Sequence, residues 1–144
     1  MEKVIPINTS QNAVKSAADR PPKNQLSHQL ISDKNQLRLH QKLQGSLDLG
    51  SLINHFFVWL SEQQPLGSVE YVYPDDDISL ISGSLRVHKA HYTLRLQKRY
   101  LGDLTISSQK RFSEQDLFVH EQSIGCLAHY LKNALDFREM EKRA

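Results

Sequence analysis

The chain has 144 residues, room for one domain with flanking segments rather than two domains. Its apolar fraction of 39% and charged fraction of 24% suit a globular domain with a polar margin. The net charge is +2, and all of that excess sits in residues 1–24, where Lys3, Lys15, Arg20 and Lys23 face only Glu2 and Asp19. The remainder is neutral, which argues against nucleic acid as a partner, because nonspecific binding needs clustered positive charge.

Cys126 is the only cysteine, which excludes an intramolecular disulfide and a multi-cysteine zinc site. Its apolar helical surroundings mark it as a small buried hydrophobe. No run of 18 apolar residues is present, so no membrane span is expected. The first residues lack the apolar core and cleavage site of a secretory signal, and a cytoplasmic location is the expectation.

Residues 1–24 are rich in Asn, Ser, Lys, Pro and Ala and end at Pro21-Pro22. They hold too little apolar surface to offset the entropy of ordering, and a disordered tail is expected. Residues 25–45 read as a helix with a thin stripe of Leu26, Leu30 and Leu37, interrupted at Asp33 and His40 and ended by Gly45. So narrow a seam points to pairing with a like helix or packing into one groove. Asp48 then caps a second helix, with Leu47 and Leu52 spaced as a staple. Leu49, Leu52, Ile53, Phe56, Phe57 and Leu60 form its buried face, and Pro65-Leu66-Gly67 breaks it.

Four strands follow. Val69, Tyr71 and Tyr73 alternate in the first, Pro74 to Asp77 turn the chain, and Ile78 to Ser82 form the second. The third runs from His91 to Gln97, with Tyr92, Leu94 and Leu96 opposite His91, Thr93, Arg95 and Gln97. A turn at Lys98-Arg99 leads to the fourth, Leu101 to Ser107, as an antiparallel hairpin. The closing helix opens on Ser113 with Asp116 three residues on and a Phe112–Leu117 staple. Leu117, Ile124 and Leu131 fall on heptad positions, flanked by Leu135. Asp136 to Arg143 is almost wholly charged and carries no stop signal, which predicts a helix that continues.

This order of elements resembles a GAF domain. Tyr92-Thr93-Leu94-Arg95-Leu96, Leu101-Gly102-Asp103-Leu104-Thr105-Ile106, Arg111-Phe112-Ser113-Glu114-Gln115-Asp116-Leu117 and Leu131 to Arg138 are similar to the GAF-type segment that precedes the GGDEF domain of bacterial diguanylate cyclases. The likeness covers roughly residues 46 to 143. It implies an α+β fold with an antiparallel sheet flanked by N- and C-terminal helices, a parallel homodimer, and a helix signalling into an output domain. That output would condense two GTP into cyclic di-GMP, and since no GGDEF signature occurs here the chain would be its regulatory part, not an enzyme. The chain departs from a full GAF domain in the ligand-pocket region. Only residues 83–90 separate the second and third strands, too little to roof a cavity of roughly 300–1,000 Å³. No cofactor is expected.

Several candidate sites have simpler readings. His88 and His91 lack a third metal ligand at suitable spacing. Asp75-Asp76-Asp77 lacks the spaced ligands and glycine of a calcium loop and reads as a solvated turn. Arg86, Lys89, Arg95, Lys98 and Arg99 form a basic group that suits either a phosphate-bearing ligand or a charged edge against aggregation, with the edge preferred. Ser113 near His120 is spaced for capping, not for a nucleophile and its base.

The expectation is therefore a GAF-like regulatory module, 46–144, homodimeric through the seams at Leu30, Leu37, Leu117, Ile124, Leu131 and Leu135. The alternatives are a nucleotide or cyclic-nucleotide sensor with Arg86, Tyr92 and Arg95 near its ligand, and a stand-alone protein-interaction module.

Overall fold

The computed structural model describes residues 34–143. The expected tail, the beginning of the first helix and Leu30 lie outside the described residues. Residues 34–43 form α1, which folds back on its own domain: Leu39 and Leu43 are fully buried. Trp59 Nε1 donates to the Asn35 carbonyl at 2.9 Å, Asn35 Nδ2 donates to Gln63 Oε1 at 2.9 Å, and His40 Nδ1 meets the Tyr130 hydroxyl at 3.0 Å. Leu37, the one residue of the expected seam among the described residues, lies on the surface, 59% exposed.

Both later helices start where their caps dictate. The Asp48 carboxylate accepts from Ser51 N–H at 2.9 Å and opens α2, Leu49–Gln63. Ser113 and Asp116 close a reciprocal box, each side chain accepting from the other's backbone N–H at 3.0 Å, ahead of α3, Glu114–Arg143.

Between them lie β1 (Ser68–Tyr73), a 3-10 turn (Pro74–Asp76), β2 (Ile78–Gly83), β3 (His88–Leu96) and β4 (Arg99–Ser108). They form one antiparallel sheet in the order β2-β1-β4-β3. Alternation sends Val69, Tyr71, Ala90, Tyr92, Leu94, Leu104 and Ile106 to one face, where α2 and α3 bury them in a single core. Glu70, Val72, His91, Thr93, Arg95, Asp103 and Thr105 take the reverse face.

The hairpin turn is Gln97-Lys98 rather than Lys98-Arg99, with Leu96 paired to Arg99 and Gln97 at φ +56. β3 starts three residues earlier than its apolar alternation, because backbone pairing continues through polar His88 and Lys89. A bulge at Leu94/Arg95 leaves an extra residue on β4, where Gly102 has φ +117. A Cβ there would lie 2.7 Å from the Tyr71 ring and 2.8 Å from the Val72 carbonyl, so the bulge requires glycine. The Tyr71 hydroxyl donates to the Leu101 carbonyl at 2.6 Å and locks it.

The leucine seam of α3 turns inward. Ile124, Leu131 and Leu135 belong to the core of the single chain and Leu117 is half-buried against it. Their spacing matches the stripe that α3 lays across the sheet and α2. Ile124, Leu131 and Leu135, expected to offer a surface to a second copy, are instead covered by the same chain.

Candidate functional site

Arg86, Tyr92 and Arg95, expected near one ligand, do not converge. Tyr92 points into the core, whereas Arg95 lies on the reverse face with its guanidinium 5.6 Å from the Tyr100 ring centre. Arg86 belongs to the loop after β2 and donates its backbone N–H to Ser107 Oγ at 3.0 Å. The period of two along β3 separates positions 92 and 95, and the loop places 86 elsewhere. The wider basic group divides likewise, since Arg99 turns to α3 and pairs with Asp136 at 2.5 Å.

The reverse face satisfies its own polar groups. Asp103 accepts from Thr93 Oγ1 at 3.2 Å and from the Tyr100 hydroxyl at 2.5 Å. Burial and the Asp103 charge push the Tyr100 hydroxyl pKa upward. His91 Nδ1 bonds Thr105 Oγ1 at 2.8 Å, and Ser68 and Ser107 share a bond of 2.6 Å. A polar ligand there would have to displace these bonds. Among the described residues no buried side-chain nitrogen or oxygen lacks a partner, and no three His, Cys, Asp or Glu side chains are grouped to hold a metal. Burial pushes the Cys126 thiol up to about 12, which leaves it a poor nucleophile.

On the helix side a cleft of about 310 Å³ opens between the start of α2 and the end of α3, lined by Leu47, Asp48, Leu49, Phe137, Arg138 and Glu141. Through Arg138 it adjoins one of the two attachments of α3 to the sheet.

The first attachment is buried. His120 Nε2 meets Gln64 Oε1 at 2.7 Å and His120 Nδ1 meets the Tyr92 hydroxyl at 2.8 Å. Gln64 Nε2 donates to the Asp116 carbonyl at 3.4 Å, which orients the amide with its oxygen toward His120. The pattern assigns the ring proton to Nε2, so Nδ1 accepts from Tyr92. Phe112 and Tyr92 stand edge-on to the ring at 4.9 and 5.7 Å. Burial lowers the His120 pKa to about 3, and the imidazole stays neutral. One residue from β3, the C-cap residue of α2 and one residue from α3 meet here.

The second attachment is wet. Asp76, in the turn between β1 and β2, holds Lys142 and, at 3.2 Å, Arg138. Asp136 takes Arg99 from β4 and, at 2.9 Å, Lys132 from its own helix. The bonds to these cations hold both carboxyls below the usual carboxylate range. One turn and one strand start, at the same end of the sheet, thus grip the last turns of α3.

Neither attachment stood out in the residues alone. His120 did leave a trace, as it precedes Ile124, Leu127 and Leu131 in one core stripe, where a histidine needs two partners. Asp76 and Lys142 are 66 positions apart, and no local pattern joins them. A comparison with known protein families, curated proteins and solved structures found no match.

Proposed function

We propose that the chain is a GAF-like regulatory module, without catalysis of its own, that relays the state of its sheet into the end of α3. On the resemblance drawn from its sequence, the output joined to α3 is a diguanylate cyclase domain. The observation that carries this reading is the grip of Asp76, from the turn between β1 and β2, and Arg99, at the start of β4, on Arg138, Lys142 and Asp136. A shift at that end of the sheet moves the helix end with it. Ile124, Leu131 and Leu135 transmit by holding α3 rigid in the core, rather than by pairing across an axis.

Joining α3 in register to a diguanylate cyclase domain tests the proposal. Asp76→Asn should change cyclic di-GMP formation by about fivefold or more, the scale of ordinary allosteric coupling. Equal rates in the two fusions, at equal oligomeric state, would sink it.

A further inference from the structure

Among the described residues the sheet order leaves two edges, β3 and β2, and they differ in charge. Along β3 stand His88, Lys89, His91 and Arg95. A second copy pairing antiparallel about Tyr92 would set Lys89 against Arg95, and like charges directly opposite oppose pairing. β2 reads Ile78-Ser79-Leu80-Ile81-Ser82-Gly83, with neither charge nor proline. Among the described residues, the strand itself carries none of the usual guards of a free edge.

The surroundings of β2 point the same way. α2 covers one face of the strand, where Ser82 Oγ donates to Asn54 Oδ1 at 3.4 Å. On the reverse face Ile81 is 52% exposed, and the loop leaving the strand adds Leu85 at 51% and Val87 at 76%. Exposed apolar side chains beside an unpaired row of backbone groups suit strand addition, where main-chain bonds supply affinity.

We propose that β2 is the edge through which two copies of this chain pair, antiparallel about Leu80, joining their sheets into one. In that register Ser79 faces Ile81 of the partner subunit, Ile78 faces the partner's Ser82, and no charges meet. A two-fold axis through Leu80 makes the interface self-complementary. The inference goes beyond the regulatory reading and does not rest on it, since the edge pairs whether or not α3 feeds an output.

Sedimentation velocity of the full chain over a wide concentration range tests it. The wild type should associate to a dimer. The double substitution Ser79→Lys with Ile81→Lys sets lysines directly opposite each other twice and should weaken association by about tenfold or more. Ile81→Lys alone, at an exposed position, should weaken it less and guards against misfolding of the double variant. Leu37→Lys should leave the dimer intact. A monomeric wild type, or a folded Ile81→Lys and double variant that dimerise as tightly as the wild type, would overturn the proposal. A dimer lost only in Leu37→Lys would move the interface to α1.

Discussion

The two attachments of α3 do the same mechanical job with opposite physics. Near its start, His120, Gln64 and Tyr92 meet out of water, and a bond there is expensive to leave unmade. Near its end, Asp76, Arg138, Lys142, Arg99 and Asp136 meet in contact with solvent, where ion pairs are screened and individually weak. A helix held rigidly at one end and loosely at the other can swing without leaving its core. The contrast separates the part of α3 that stabilises the domain from the part suited to move.

The rigid half should show the largest effects. Leu131 is fully buried, so Leu131→Ala should lower unfolding stability by about 3 kcal/mol in a denaturant titration. A loss below half of that would mean that α3 is not seated as described.

Acid should act on the same half. His120 takes up a proton near pH 6.5 in the unfolded chain but only near pH 3 when folded. Below pH 6.5 the unfolded state binds the extra proton, so stability falls as pH drops toward 3 and is unaffected by this group above 6.5. At pH 5 the loss is about 2 kcal/mol from this residue. His120→Asn, though less stable at neutral pH, should lose that part of the slope. Equal slopes would contradict a neutral, buried imidazole.

Tyr92→Phe deletes one hydroxyl and strands His120 Nδ1, at a cost of about 1–2 kcal/mol in the same titration. At the loose end, Asp76→Asn should leave the thermal midpoint almost unchanged and speed amide exchange in the last turns of α3. Salt near 1 M, where the screening length is about 3 Å, should reproduce that change in the wild type. A large drop in the midpoint on Asp76→Asn would show that the two ends do not differ as described.

How much of this was legible beforehand depended on the range of the interaction. The caps at Asp48 and Ser113 were readable because a cap joins residues three apart. The hairpin was readable because a short polar turn joins alternating strands, although its position was off by one: Gln97 adopts φ +56, which apolar patterning does not report. The stripe of Ile124, Leu131 and Leu135 was visible, but its partner was not. Periodicity shows that a face is apolar and says nothing of whether the cover comes from the same chain or another. The grouping of Tyr92 with Arg95 failed because strand residues an odd number of positions apart point to opposite faces.

Local chemistry alone determined the elements, their order, the starts of the two capped helices and the apolar faces, because caps, turns and periodicity act over a few residues. The tertiary structure decided what each face meets: α1 folded home at Leu39 and Leu43, Tyr92 sealed against His120, Asp76 gripping a helix end more than sixty positions away, and β2 left as the uncharged edge. Those outcomes depend on which distant surfaces are brought together, and burial and charge pairing are properties of that meeting rather than of any one segment.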